Sequence, residues 1–554
     1  MSIRIAAGVI AGIVLAFPLA CAPVDDAGPG SRADAGGAGA AGYGERVGAV
    51  DLPAGCADEA VPHLERGLAL LHSMTYEGAR EAFAAGAEAD PGCALAPWGE
   101  AMSWIHPLWN DPPSAEAFAA GAAAVERARA ARAGSARTEA WIDAVAGYYE
   151  PDRGETERPN LAAFAAGWKS AHERFPDDPE AALFRSLTGL ALADPSDKSY
   201  GVQLASGAVA ESVLAAHPDH PGAHHYVIHS YDYPPLADRA EAAARGYADL
   251  APKVPHALHM PSHIFTRLGL WEESIEWNTR SADAAKEHPV EGAVAMHYLH
   301  ALDYLAYGHL QRAEDAEAEE VAATMAELEG PFQVTLAGAY ALAAVPARLA
   351  LEREVWDTAA GLDPRAADFP WERFPAMEAI GWFAKGIGAA RSGDAAGGNA
   401  AAVRLADLRD AIPSGSAYWA TQVEIQRLAV LAWTRLAEGD RDAALATMRE
   451  SADLEATTEK HPVTPGEILP ARELLGDMLR EAGRPAEAIA AYEAALERSP
   501  NRFRSLYGAG RAAEEVGDRE AAAEWFGKLL EVVAPGADGR PEIAHAREVV
   551  GARA

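Results

Sequence analysis

Near the C-terminus the chain alternates between amphipathic segments and turn residues at a fixed interval. In REAGRPAEAIAAYEAALERSP and EEVGDREAAAEWFGKLLEV, apolar residues recur three and four positions apart, the spacing of one helix face. Gly483 and Gly517 are 34 residues apart, as are Ala488 and Ala522. The pattern predicts pairs of α-helices joined by a glycine turn. Because one such pair cannot bury its apolar face alone, consecutive pairs must stack on each other.

The 34-residue period, the turn glycine, the small residues at helical spacing and the proline after the second helix resemble the tetratricopeptide repeat. The same pattern recurs in residues 73–102 and 267–278 and, more loosely, in 306–320. The resemblance implies an all-α fold, a superhelical solenoid of helix–turn–helix units. Its expected parts are an N-terminal solenoid with a histidine-rich site (53–325), degenerate helical repeats (326–450) and C-terminal repeats (451–554).

Residues 1–21 have the composition of a targeting segment. Arg4 is the only charge before the apolar run IAAGVIAGIVLAFPLA, which is shorter than a usual membrane span and stops at Cys21. The run resembles a bacterial lipoprotein signal, which implies lipidation of Cys21; simple secretion and a retained anchor are the alternatives. Residues 22–52, rich in Gly, Ala and Asp, are expected to form a flexible tether. We therefore expect export to the cell envelope, as an outer-membrane lipoprotein anchored by its lipid or as a periplasmic protein.

Besides Cys21, the chain has only Cys56 and Cys93. Two cysteines in an exported chain predict one disulfide between them. The alternative is a pair of buried thiols.

Charge and motifs exclude several function classes. The chain has 554 residues, 49% of them hydrophobic, and a formal net charge of −35. A nucleic-acid-binding protein normally presents a basic face, so a nucleic-acid partner is not expected. The motifs H-E-x-x-H, G-x-S-x-G and C-x-x-C do not occur, which leaves zinc-protease, serine-hydrolase and thioredoxin-like chemistry without a signature.

Histidines concentrate in one part of the chain, with 12 of the 18 lying between His217 and His309. Two pairs are separated by one repeat length: His225 with His259, and His229 with His263. Since residues four apart share a helix face, two stripes are predicted: His225, His229 and Asp232; and His256, His259 and His263. The resemblance to tetratricopeptide repeats implies that the second stripe lies on the helix that lines the concave groove.

These stripes predict a metal site. Imidazoles that converge with a carboxylate are ligands for zinc, copper and iron. Neighbouring helices lie about 8–10 Å apart, which opposed imidazoles can span with an ion between them. We expect one transition-metal ion (Zn, Cu or Fe) on the concave face, bound by His225, His229, His259 and His263, with Asp232 and His297 as candidates for a further ligand or a base.

Other residues are expected to line the groove or to contact the ligands: His72, His106, His224, His256, His300 and Tyr226. His217 and His220, in HPDHPG, are expected in an exposed turn. Pro261 interrupts the second stripe, so the helix either begins near Pro261 or bends there.

Two other interpretations fit the same residues. The histidines could line a groove that binds a peptide, a partner protein or an organic ligand, and the protein would then be a non-catalytic periplasmic or surface scaffold. They could also form a structural polar cluster. If they bind metal, the protein could be a metal-dependent enzyme, but no motif identifies a substrate. Bound metal in the purified protein separates these interpretations.

Overall fold

The turn glycines of the repeat pattern separate helices. Gly483 lies between the helices Ala471–Glu481 and Pro485–Arg498, and Gly517 occupies the same place in the next pair. The φ angles of Gly483 and Gly517 are +72° and +85°. This left-handed conformation closes a helix, and glycine adopts it without the steric cost that a side chain would add.

The computed structural model describes residues 40–109, 112–131, 134–150, 156–290, 292–365 and 367–552. The predicted targeting segment with Cys21, and the tether up to residue 39, lie outside the described residues. Within this part of the chain, regular secondary structure is entirely helical, accompanied by two isolated β-bridges, Val290–Ala293 and Val294–Phe332. None of its helices has the length and apolar character needed to cross a membrane.

The first part of the chain carries the helices that hold the histidines. In order they are α1 (Val61–His72), α2 (Tyr76–Ala89), α3 (Leu95–Met102), α4 (Ala115–Ala130), α5 (Ala136–Tyr149), α6 (Arg158–Arg174), α7 (Pro179–Ala191), α8 (Gly201–Ala216), α9 (Pro221–Tyr231), α10 (Glu241–Tyr247), α11 (Pro255–His259), α12 (Pro261–Leu268), α13 (Trp271–Lys286) and α14 (Met296–Gln311). Two short 3₁₀ helices, Ala40–Tyr43 and Ala237–Ala240, accompany them.

The second part continues the same alternation. Its helices are α15 (Asp315–Ala326), α16 (Leu336–Glu352), α17 (Trp356–Gly361), α18 (Pro375–Arg391), α19 (Ala395–Asp410), α20 (Ala417–Ala437), α21 (Arg441–Glu455), α22 (Ala471–Glu481), α23 (Pro485–Arg498), α24 (Phe503–Glu515), α25 (Arg519–Val532) and α26 (Pro541–Gly551). The 3₁₀ helices Trp371–Arg373 and Ser414–Ser416 lie between them. The segment expected to hold degenerate repeats is thus helical throughout most of its length.

Helix packing follows the stacking that the repeat requires. Each helix from α18 to α26 contacts the next one along the chain, and alternate helices also touch, as in the series α14, α16, α18, α20, α22 and α24. This arrangement buries the apolar face of each pair against the neighbouring pair. The predicted all-α helical solenoid is confirmed.

The apolar core divides into two large clusters, one within residues 47–265 and the other within residues 282–512. Helices α9, α11 and α12 contribute to the first cluster, whereas α14 contributes to the second. The histidine-rich helices therefore lie where the two clusters meet. The predicted boundaries at residues 325 and 450 stay predictions.

Cys56 and Cys93 form a disulfide, with their Cα atoms 5.0 Å apart. Cys56 precedes α1, and Cys93 lies just before α3. The bond joins the starts of two helices, which is where the stacking of neighbouring pairs brings the chain together.

Two local details differ from or refine the expectations. His217 is exposed, but the exposed position expected for His220 was wrong, because its side chain is only 2% exposed and bonds to the buried Glu180. Of the two alternatives for Pro261, the structure has the first: α12 begins at Pro261, and His256 and His259 lie on the preceding helix α11. Met260, between the two helices, keeps right-handed helical angles (φ −55°, ψ −36°).

Candidate metal centre

Six histidines on α9, α11, α12 and α14 form two groups. We name them the first triad, His225, His229 and His256, and the second triad, His259, His263 and His300. Within each triad, one ring nitrogen of every histidine lies within 4.8 Å of the others. All six side chains are buried, the most exposed being His229 at 8%. Each triad therefore has the composition and compactness of a three-histidine metal site.

The two triads are repeat-related copies. Each takes two histidines one helical turn apart, and the pair in the second triad lies 34 residues after the pair in the first. The third histidine of each triad comes from a following helix, His256 from α11 and His300 from α14. The sequence predicted one site shared by equivalent histidines of two repeats, whereas the structure has two similar sites.

The orientation of three imidazoles is set by oxygen acceptors behind them. The Nδ1–H of His225 donates to the backbone carbonyl of His72 at 2.6 Å. His259 Nδ1–H donates to Oδ1 of Asn278 at 2.7 Å, and the Asn278 amide is held in that orientation because its Nδ2 donates to the Ser274 carbonyl. These bonds place the proton on Nδ1 and leave the Nε2 lone pair for a ligand, the usual arrangement of metal-binding histidines.

His263 shows the same arrangement with a carboxylate. Its Nδ1–H donates to Oδ2 of Asp232 at 3.0 Å. The Nε2 atoms of His259 and His263 then face each other at 2.9 Å. With both protons on Nδ1, two lone pairs oppose each other, an arrangement that a cation between them would stabilise. Two nitrogens on one tetrahedral metal ion lie about 3.3 Å apart, close to the observed separation.

Several triad nitrogens have no hydrogen-bond partner among the described residues. These are Nε2 of His225 and His229, both nitrogens of His256, and Nδ1 of His300. A buried polar atom without a partner costs about 1–3 kcal/mol. Their concentration in the two triads indicates that the pocket is built for a ligand rather than for internal hydrogen bonding.

Burial keeps the triads uncharged. It lowers the pKa of His225 to about 3 and lowers the pKa of His229, His256, His259 and His300 well below the ordinary value. Burial also lowers the pKa of His263, against the raising effect of Asp232. The imidazoles are therefore neutral at pH 7, the form that binds metal.

Asp232, a candidate ligand or base from the sequence, lies behind His263. Its carboxylate accepts from His263 and is paired with Arg267 Nε at 2.9 Å and Lys460 Nζ at 2.8 Å. Burial would raise the pKa of Asp232, but Lys460 and Arg267 outweigh it and hold the pKa below its ordinary value. The carboxylate is thus an anion that orients His263, and its oxygens are already engaged.

His297, the other candidate, lies at the edge of the first triad. Its ring centroid is 5.3 Å from that of His256 and 5.8 Å from that of Trp109. His297 is partly exposed and is not among the ligand atoms grouped within either triad. Its helix partner His300, expected only beside the site, supplies the ligand atom instead.

A third group consists of residue types that can bind a metal: His72, Glu180 and His220. Hydrogen bonds within the protein already occupy the ring nitrogens of this group. His72 Nε2 and His220 Nε2 lie 2.6 and 2.9 Å from the Glu180 carboxylate. The remaining nitrogens bond to the Tyr226 hydroxyl and to the Gly222 amide. Since every ring nitrogen is engaged, this group acts as a structural cluster that supports the first triad through the His72 carbonyl.

Two further residues expected beside the site have other contacts. The ring nitrogens of His224 face the carbonyl oxygens of Ala243 and Pro218, both at 2.9 Å. His106 stacks on Tyr76 with ring centroids 4.2 Å apart. His224 and His106 therefore support the surrounding structure rather than the triads.

A small cavity of about 30 Å³ touches both triads. It is bounded by histidines of the first triad (His229, His256) and of the second (His263, His300). Its other walls are mainly apolar, including Trp109, Leu336 and Val463. A cavity of this size holds one or two water-sized groups.

The segment formed by residues 456–470 lies over this cavity. Pro462 and Val463 line it, and the Tyr304 hydroxyl donates to the Thr464 carbonyl at 3.2 Å. The ring of Tyr304 also packs against His259, with centroids 4.6 Å apart. The histidines are consequently enclosed by the chain itself.

Sequence reasoning missed four supporting residues: Asn278, Arg267, Tyr304 and Lys460. Tyr304 lies four residues after His300 on α14, a spacing that could have placed it beside the second triad. Lys460 is 228 residues from Asp232 and carries no sequence signal of the contact.

Comparison with known proteins finds a repeat in one segment of the chain. Residues 469–502, which include α22 and α23, match the sequence model of the tetratricopeptide repeat. No curated protein matches the chain. Solved structures with similarity include a tetratricopeptide repeat protein from Parabacteroides merdae (12% identity, 54% of this chain and 97% of that chain, TM-score 0.28).

Yeast Tom70 is similar at 10% identity, over 89% of this chain and 96% of that chain, with a TM-score of 0.33. The Naa15/Naa10 complex bound to HypK-THB is similar at 11% identity, over 86% and 70%, with a TM-score of 0.24. These similarities are too distant to inform function. The matched segment is thus one tetratricopeptide repeat within an all-α helical solenoid.

Proposed function

We propose that the protein binds a transition-metal ion, zinc, copper or iron, through its buried histidine triads. The observation that carries the proposal is the opposed pair of Nε2 atoms of His259 and His263, each backed by an oxygen that accepts from Nδ1. This is the arrangement in which a carboxylate or amide oxygen fixes the tautomer of a metal-binding histidine.

Three ligands from each triad leave a coordination position open. Structural zinc sites are usually closed by four protein ligands, whereas catalytic sites have three and keep a position for water or substrate. The open position would face the cavity that both triads line. The arrangement therefore favours a metal ion that binds or activates a small molecule over one that only stabilises the fold.

Metal analysis tests the proposal. The purified protein, stripped with a chelator and incubated separately with zinc, copper or iron, should retain at least one ion per chain after desalting. The double variant His229→Ala/His263→Ala removes one ligand from each triad and should bind none tightly. His217→Ala, at an exposed position, should bind as the unaltered chain does. Absence of metal uptake by the unaltered chain would contradict the proposal.

The scaffold interpretation stays a prediction for the rest of the surface. A peptide bound at the histidines would have to displace residues 456–470, which are held over the cavity by the Lys460–Asp232 ion pair and by the Tyr304 hydrogen bond. The triads are thus better suited to an ion and a small molecule than to a peptide.

We also propose export to the cell envelope with a lipid on Cys21. The disulfide between Cys56 and Cys93 supports this location, because such bonds persist outside the reducing cytosol. Cys21→Ser should move the protein from the membrane fraction to the soluble fraction of its native host. Unchanged membrane association would reject the anchor.

A further inference from the structure

We infer that the two triads form one dinuclear copper centre, in which each triad holds a copper(I) ion and the pair binds dioxygen in the cavity between them. This inference rests on the proposed metal-binding function and specifies its nuclearity, its metal and its small-molecule ligand.

The number of ions follows from the grouping of the ligands. The triads share no residue, and each is complete with three imidazoles. They are also close to each other, since the rings of His229 and His263 lie 6.1 Å apart and those of His256 and His259 are equally far apart. A single ion bound only by the two histidine pairs that lie one repeat length apart would leave His256 and His300 without a role.

The charges around the two triads favour copper over the other metals that imidazole binds. All six ligands are neutral imidazoles, and Asp232, the carboxylate behind the second triad, is already paired with Arg267 and Lys460. Repulsion between two ions scales with the product of their charges, so two monovalent ions repel each other about four times less than two divalent ions at the same distance. Copper is the metal among those suited to imidazole that has a stable monovalent state.

The volume and the apolar walls of the cavity favour a small, neutral ligand. It touches histidines of both triads, has mainly apolar walls and offers about 30 Å³. A diatomic neutral molecule meets these limits, whereas a charged or larger substrate does not. Dioxygen can therefore enter between the ions without bringing charge into a buried site.

The electron balance is complete within the site. Each copper(I) gives one electron, and dioxygen takes both to become peroxide bridging two copper(II) ions. No proton or external reductant is required for this step. The total charge of ions and ligand is unchanged, because the gain of one positive charge on each ion is offset by the two negative charges of peroxide.

Copper stoichiometry tests the nuclearity. Protein stripped of metal, loaded with copper(I) without oxygen and desalted should contain two copper ions per chain. His256→Gln and His300→Gln each remove one ligand from one triad, and each should reduce the content to one. These positions are suitable because both nitrogens of His256, and Nδ1 of His300, make no hydrogen bond to the described residues. His217→Gln is the control and should retain two.

Exposure to air tests the ligand. The unaltered chain should consume one dioxygen per two copper ions and gain a charge-transfer absorption in the near ultraviolet, whereas each single variant should lack that absorption. This measurement and the copper content of the unaltered chain do not depend on whether the variants fold. One copper per chain, or two without dioxygen uptake, would overturn the inference and leave the proposed metal binding intact. No copper and no other metal would overturn both.

Discussion

Lys460 Nζ lies 2.8 Å from Asp232 Oδ2 although 228 residues separate the two in the chain. The contact is buried, with the two side chains 1% and 5% exposed. It attaches the segment 456–470 to the carboxylate that orients His263. One ion pair therefore links the closure of the cavity to the geometry of the second triad.

Replacing Lys460 should separate stability from metal affinity. Lys460→Met breaks a buried pair and should lower the free energy of unfolding by about 3 kcal/mol. It also removes a positive charge beside the second triad, so metal affinity should rise in the variant. Chemical denaturation of the metal-free protein and metal titration measure the two effects.

Lys169→Met is the control for this prediction, because Lys169 pairs with Glu173 at the surface and is 61% exposed. Its loss should cost about 0–1 kcal/mol and leave metal affinity unchanged. A Lys460 variant with unchanged stability would show that the pair contributes nothing to closure.

Asn278 should control the second triad specifically. Asn278→Ala removes the oxygen that accepts from His259 Nδ1, and loss of such a partner typically weakens metal binding about 10–100-fold. Competitive titration should show one weakened site and one unchanged site. Asn399→Ala, which removes an exposed bond to Glu438, should change neither. Equal weakening of both sites would argue against separate triads.

The metal-free protein should lose stability in acid. The pKa of His225 is about 3 in the folded state because of burial, against about 6.5 in an unfolded chain. The unfolded state thus binds more protons below pH 6.5, and stability falls as pH falls from 6.5 toward 3. At pH 5 His225 alone should cost about 2 kcal/mol relative to pH 7.

Urea denaturation at pH 7 and pH 5 measures this effect. His225→Gln should lose less stability between the two pH values than the unaltered chain, since the titrating group is gone. An identical loss in both would mean that His225 does not contribute.

The disulfide should stabilise the N-terminal helices. It closes a loop with a sequence separation of 37, for which the loss of chain entropy in the unfolded state corresponds to about 4 kcal/mol. Cys56→Ala/Cys93→Ala should therefore melt at a lower temperature than the oxidised chain. Reductant should lower the melting temperature of the unaltered chain and have no effect on the double variant. Labelling of both thiols in the native protein would contradict the bond.

Sequence by itself determined the repeat and much of the histidine set. The 34-residue period predicted the helical solenoid, because each helix pair has one apolar face that only a neighbouring pair can cover. It also placed His225, His229, His259 and His263 at equivalent positions, all of which lie in the triads. Those signals are local, since they depend on helix periodicity and on repeat length.

Tertiary structure decided how the histidines are shared. Periodicity suggested that pairs from adjacent repeats would face one ion, but each pair instead meets a third histidine from a following helix, His256 or His300. Which helix supplies it depends on linker length: His300 lies 44 residues after His256, whereas the paired histidines repeat every 34. The sequence could not predict the partners of Asp232 or the covering segment 456–470. Long-range packing brings both to the site, and such contacts produce no periodic pattern in the sequence.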